Sequence, residues 1–160
     1  MIIDLGRLAQ DGEMFEGDEP ASIFELDDAF CRPQQPVHYH VSAQVVSGKL
    51  IVRGTLATTV GLRCSRCGEF FDRPVRENDF ERVYDLDSED VPRVPEQPEY
   101  VDLTPDIREA SILNFPAYPV CRAECRGLCP MCGKNLNEEA CDCERPGEMR
   151  WDALDDIKLR

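Results

Sequence analysis

Nine cysteines carry the most evident chemistry in this sequence, and eight of them fall in close pairs. Cys64-Ser65-Arg66-Cys67-Gly68 and Cys129-Pro130-Met131-Cys132-Gly133 are two Cys-x-x-Cys-Gly turns; Cys121 and Cys125 stand four residues apart, and Cys141-Asp142-Cys143 closes the series. Zinc takes four soft donors in a tetrahedron at about 2.3 Å, and a Cys-x-x-Cys turn presents two thiolates from one tight loop. The glycine that follows lets the backbone fold close around sulfur. Four pairs supply the eight ligands that two closed all-thiolate sites need, with Cys31 left over. Cys129, Cys132, Cys141 and Cys143 compose a local tetrad, closed by the eight-residue loop Gly133 to Ala140. Cys64, Cys67, Cys121 and Cys125 compose a long-range one, which follows only by elimination. Spacing leaves open a single site that takes Cys125 with three downstream cysteines. The expectation is therefore one or two structural zinc ions.

A disulfide framework is the competing reading of so many cysteines. Met1 to Gln10 has no basic segment leading into an apolar one, so no secretory signal is expected, and a reduced cytoplasmic setting favours metal ligation. No apolar run approaches the roughly 18 residues of a membrane span, so no membrane partner is expected. A catalytic zinc keeps an open position, usually with His or carboxylate among its ligands, whereas thiolates are in excess here. Cys64 and Cys67 as a redox pair would lack a following helix N-terminus to depress a thiolate pKa. His38 and His40 lie in period two and read as a polar sheet face. With no glycine-rich phosphate loop or serine nucleophile motif, the chain is expected not to be an enzyme.

The elements that must hold these pairs can be read from periodicity. Val37, Tyr39, Val41, Ala43 and Val45 alternate, Ser47-Gly48 offers a turn, and Leu50, Val52, Leu56, Val60 and Leu62 resume the period. That predicts a long hairpin with one buried face, ending just before Cys64. Phe70 to Tyr84 reads as one or two further strands, Met1 to Leu8 as a short strand, and Asp11 to Pro20 as a surface loop. Asp85 to Pro98, with three prolines and five acids, reads as a mobile linker or loop. Thr104-Pro105-Asp106 marks a helix start with Thr104 as N-cap; Ile107, Ala110, Ile112 and Leu113 are its inner face, and Pro116 ends it. Pro146 to Leu159, with Trp151, Leu154 and Ile157 spaced by three, reads as a last helix. The expected fold class is α+β: an antiparallel β-sheet or partial barrel, a C-terminal cysteine-rich zinc knuckle module and a terminal helix. Residues 1–116 would form the β-rich core domain, with the acidic loop at 85–98, and residues 117–160 the zinc-binding module with the last helix.

Charge is uneven about a net of −14. Residues 1–28 hold nine acids and one base and residues 77–109 twelve acids and three bases, whereas 29–68 hold no acid and five bases: Arg32, Lys49, Arg53, Arg63 and Arg66. A body so acidic repels nucleic acid as a whole, although a local basic face can still meet phosphate. Arg63, Arg66, Arg122, Arg126 and Lys134 are placed in sequence to offset the −2 charge of a zinc tetrathiolate.

The string from Cys121 through Gly127-Leu128-Cys129-Pro130-Met131-Cys132-Gly133-Lys134-Asn135-Leu136-Asn137 to Cys141-Asp142-Cys143, followed by the Trp151 segment, resembles the C-terminal signature of the YceD family, and Cys64-Ser65-Arg66-Cys67 matches that family's central C-x-R-C. The resemblance covers roughly residues 35 to 160. It implies a role in accumulation of large-subunit ribosomal RNA, and family members are commonly encoded beside a small zinc-ribbon protein of that subunit; no enzymatic activity is attributed to the family as a whole. The leading expectation is thus a non-enzymatic factor in large ribosomal subunit biogenesis that contacts a basic ribosomal protein or a pre-ribosomal particle. Direct binding of ribosomal RNA through Lys49, Arg53, Arg63 and Arg66 is the alternative, and a thiol redox or metal-handling protein is a third.

Overall fold

The computed structural model describes residues 1–9, 11–26 and 29–143. The expected helix at Pro146 to Leu159 lies outside the described residues. Strands β1 (Ile2–Asp4), β2 (Glu13–Glu19), β3 (Cys31–Pro33), β4 (Val37–Val46), β5 (Lys49–Arg63), β6 (Phe70–Asp85), β7 (Arg93–Val94) and β8 (Gln97–Asp102) precede the helix α1 (Thr104–Leu113). A 3-10 turn, Ala21–Phe24, separates β2 from β3.

The alternating apolar residues place β5 at the centre of a five-stranded antiparallel sheet. Its N-terminal half pairs with β4 and its C-terminal end with β3 on one side, while β6 runs along the other. β2 pairs with β4 and forms one edge, and no pairing joins it to β6 among the described residues, so this antiparallel sheet is not closed. A second sheet has the order β1-β8-β7. Val37, Val41, Ala43, Leu50, Val52, Leu56 and Phe80 bury the inner face of the large sheet against Ile3, Phe24, Val101, Leu103 and Ile107. Removing apolar area from water at about 25 cal/mol per Å² is what binds the two sheets and α1 into one core. A smaller cluster of Cys31, Val60, Leu62 and Val75 continues along β5 toward the first cysteine turn.

Four expectations are corrected. Residues 11–20 are not a loop but contain β2, whose backbone pairs Phe15 with Val41 and Gly17 with Tyr39. Gly17 lies under the Tyr39 ring, where a Cβ would meet the phenol oxygen at 2.5 Å. Residues 85–98 are not a free linker: Val91 is buried in the main core, and Arg93 donates to the carbonyls of Leu86 (2.8 Å) and Pro98. The α1 N-cap is Leu103, not Thr104; Asp102 Oδ1 accepts the Thr104 N–H at 2.9 Å. On α1 the buried residues are Ile107, Ala110 and Ser111, and Leu113 is exposed.

Candidate metal centres

Two turns of the chain repeat one local geometry. In the first, Cys64 N–H donates to Glu69 O (2.8 Å), Gly68 N–H to Cys64 O (2.9 Å) and Arg66 N–H to Cys64 Sγ (3.4 Å). In the second, Cys129 N–H donates to Lys134 O (2.8 Å), Gly133 N–H to Cys129 O (2.9 Å) and Met131 N–H to Cys129 Sγ (3.4 Å). Gly68 and Gly133 hold φ of 78° and 74°, the left-handed region that closes both turns and that a side chain would strain. Identical spacing has produced identical hydrogen bonding, which is why these loops present sulfur in the same way.

Each turn meets a second cysteine pair. The sulfurs of Cys64, Cys67, Cys121 and Cys125 all lie within 4.8 Å of one another, and so do those of Cys129, Cys132, Cys141 and Cys143. Cys64 to Cys125 and Cys67 to Cys121 are each 3.9 Å between sulfurs. A tetrahedron with zinc–sulfur bonds of about 2.3 Å has edges of about 3.8 Å. The described residues contain no disulfide. The two groups can therefore hold metal ions. Cys31 is buried beside Val60, Leu62 and Val75 and belongs to neither group.

The long-range group is assembled by contacts across the chain. Ser65 N–H donates to Pro119 O (2.8 Å) and Leu128 N–H to Arg66 O (3.1 Å), while Arg66 Nη1 donates to the carbonyls of Ala123 and Cys125, both at 3.1 Å. Gly127 packs against this seam at φ 74°; a Cβ there would approach Arg66 O to 3.0 Å. Asn137 ties the second loop to the first group: its Nδ2 donates to Cys125 Sγ at 3.4 Å and its Oδ1 accepts the Arg126 N–H at 2.9 Å. Sequence reasoning gave Asn137 no role of its own; its signal was its place at the end of the family-like string Gly133-Lys134-Asn135-Leu136-Asn137. The basic neighbours act unevenly. Arg63 Nε donates to Gly68 O (2.8 Å) and steadies the turn, whereas Lys134 pairs with Glu139 at 3.2 Å.

Electrostatics divides the thiols within each group. Burial is the strongest influence on Cys64 and opposes ionisation, but N–H groups of Cys121, Cys67 and Arg66 outweigh it and bring the thiol down to about 6. Burial, and then the neighbouring sulfurs, push Cys67 up to about 12. Hydrogen bonds from the N–H groups of Cys132 and Met131 bring Cys129 down to about 6, whereas Cys132, and then burial, push Cys143 up to about 12. Four thiols this close cannot all ionise beside one another without a cation, since like charges raise each other's pKa. The donor set, the sulfur spacing and the N–H groups turned on sulfur all fit a soft divalent metal.

His38 and His40 stand on the exposed face of β4, opposite Asp18 and Glu16 of β2, and His38 Nδ1 pairs with Asp18. Neither belongs to a metal-holding group among the described residues. No described helix is long and apolar enough to cross a membrane.

Residues 52–158 match the family described as Large ribosomal RNA subunit accumulation protein YceD. A curated relative from Arabidopsis thaliana, named Large ribosomal RNA subunit accumulation protein YCED homolog 1, chloroplastic, is 29% identical over 142 residues, which are 69% of this chain and 44% of that protein. The protein of the same name from Zea mays is 26% identical over 153 residues, 74% of this chain and 52% of its own. An uncharacterized protein of Mycobacterium tuberculosis is 28% identical over 178 residues, 96% of this chain and 79% of that protein. The chain thus spans about half the length of the two plant relatives. No solved structure matches.

Proposed function

The chain belongs to the YceD family of large ribosomal RNA subunit accumulation proteins, and from that premise we propose that it is a non-enzymatic factor in large ribosomal subunit biogenesis. In this reading residues 1–116 form the β-rich domain and residues 117–160 a zinc-binding module. Cys64, Cys67, Cys121 and Cys125 hold one zinc ion, and Cys129, Cys132, Cys141 and Cys143 a second. When bound, zinc supplies folding energy at closed four-sulfur sites, with no open position for a substrate. The observation that carries the reading is the family match, which spans both cysteine groups.

The partner we propose is a basic ribosomal protein, met by the acidic surface that follows β6. Asp85, Asp87, Glu89 and Asp90 are all exposed there, on a segment pinned by Val91 and Arg93. The basic hairpin is a weaker candidate for RNA contact. Arg53 is paired with Glu81 at 2.9 Å, and Lys49 sits opposite Asp85 in the β5–β6 register. Affinity purification of the full chain from a lysate, with and without ribonuclease, tests the choice. The expected result is a large-subunit ribosomal protein retained after ribonuclease, with association slowed several-fold by combined Asp85→Asn, Asp87→Asn, Glu89→Gln and Asp90→Asn, and weakened by salt. Complete loss of ribosomal protein on ribonuclease treatment would move the reading to RNA.

A further inference from the structure

A cavity of about 620 Å³ opens beside the first cysteine group, with Cys64 in its wall. Phe30, Arg63, Arg66, Tyr118 and Leu128 line it, with no carboxylate in its walls. Phe30 is 67%, Tyr118 85% and Leu128 45% exposed. Aromatic and aliphatic groups this exposed on one surface mark a binding site more often than chance scatter. The two arginines add charge of one sign. In a chain with 32 acids and 18 bases, neither Arg63 nor Arg66 forms an ion pair among the described residues, whereas Arg53, Arg82 and Arg108 all do. Their contacts are to backbone carbonyls of the cysteine loops, which fix the guanidinium groups in place. Beyond the rim, Arg32 lies over the Phe70 ring at 4.1 Å, a stacked pair at the same end of the sheet.

Exposed rings beside guanidinium groups that no described carboxylate pairs suit a ligand that is flat, aromatic and anionic along its backbone. We infer that this surface binds unpaired RNA, with bases stacking on Tyr118 and Phe30 and phosphates meeting Arg63 and Arg66. Duplex RNA does not meet these requirements, because its bases are already stacked and its major groove is closed to side chains. An acidic peptide would use the arginines but gives no reason for two exposed rings. The net charge of −14 opposes the approach of any polyanion, so stacking must carry more of the affinity than phosphate contact. The surface stands on its own geometry; that the RNA is ribosomal rests on the function proposed above.

The test is fluorescence anisotropy of the full zinc-loaded chain with a labelled, unstructured oligoribonucleotide of about twelve nucleotides, within the usual site sizes for such surfaces. The single strand should bind, and a duplex of the same length should bind more weakly. Tyr118→Ala should weaken binding by about five- to a hundred-fold, as loss of one base–aromatic stack does. Tyr118→Phe should bind as the parent does, because the ring and not the hydroxyl is used. Phe30→Ala should act like Tyr118→Ala, whereas Lys49→Gln with Arg53→Gln should change little. Unaltered metal content and circular dichroism show that each variant is folded. The inference is overturned if the oligonucleotide does not bind saturably, if Tyr118→Ala and Phe30→Ala bind like the parent, or if an acidic peptide displaces it with the same dependence on Tyr118. Ribonuclease-resistant association with a ribosomal protein, lost in the Asp85 to Asp90 variant and kept in Tyr118→Ala, reads the proposed function separately.

Discussion

The N–H of Met131 and the side-chain amide of Asn137 each reach a cysteine sulfur at 3.4 Å, and such contacts favour thiolate over thiol. Within one group their benefit is unequal, so Cys64 and Cys129 ionise near about 6 while Cys67 and Cys143 keep their protons up to about 12. At neutral pH, loading of either group must therefore displace protons, from Cys67 and Cys121 in the first group and from Cys141 and Cys143 in the second. Zinc affinity should fall as pH drops from about 8 to about 6, because protons compete for the same sulfurs, and the stability that zinc adds should fall with it. Calorimetry in buffers of different ionisation enthalpy measures the release; zero protons displaced at neutral pH would contradict it. The parent should contain about two zinc ions. Cys132→Ser and Cys64→Ser should each reduce this to about one, by elemental analysis. Cys64→Ser should also lower the melting temperature more, since Cys64 is buried with Cys67 and Cys125 against Phe71, whereas Cys132 is exposed. Two ions retained in either variant would reject that group as a site.

Among the elements, α1 offers the cleanest single-residue test. Its first turn has no side-chain cap from the N-cap residue, and Asp102 supplies the acceptor one position earlier. Asp102→Ala should destabilise the chain by about 1 kcal/mol, the usual value of such a cap, and lower the melting temperature by about 2–4 °C. Asp102→Asn keeps an acceptor and should lose less; equal losses would show that the hydrogen bond is not the cause. This shift from Thr104 to Asp102 illustrates what the sequence leaves illegible. β4 and β5 were legible because Val37, Val41, Ala43, Leu50, Val52 and Leu56 put one apolar face in period two into the core. β2 was not, because Phe15 is its one inward apolar group with partly buried exposure, and its strand character comes from pairing with β4. The same holds for β7 and β8, where buried Val91 and Val101 and the hydrogen bonds of Arg93 order a stretch much of whose composition reads as a loop. Propensity sees a segment alone, whereas edge strands are made by their neighbours.

At the scale of the whole molecule, the local tetrad was legible because its spacing lies within one stretch of chain, whereas only elimination joins residue 64 to residue 121. The juxtaposition comes from the β5–β6 turn meeting the later segment, Ser65 N–H donating to Pro119 O and Leu128 N–H to Arg66 O. The main apolar core draws its buried residues from Met1 to Ala110 and takes none from the cysteine-rich segment. In residues 121–143 the buried positions are Cys125, Gly127 and Cys129. A segment that buries cysteines and a glycine has too little apolar area to offset its own conformational entropy, so in the proposed two-zinc reading metal supplies most of what orders it. The β-sheet carries no such requirement. Removal of zinc by a chelator should therefore abolish hydrogen-exchange protection at Leu128, Cys129, Gly133 and Leu136, whose N–H groups are bonded within the cysteine loops, and leave β4, β5 and the paired part of β6 protected. Cys132→Ser should abolish protection at Cys129 and Gly133 while sparing Ser65, whose N–H is bonded to Pro119 O beside the first group. Collapse of the whole sheet on chelation would show instead that the first cysteine group is required by the core itself. Unchanged protection throughout 121–143 would show that the loops hold without metal.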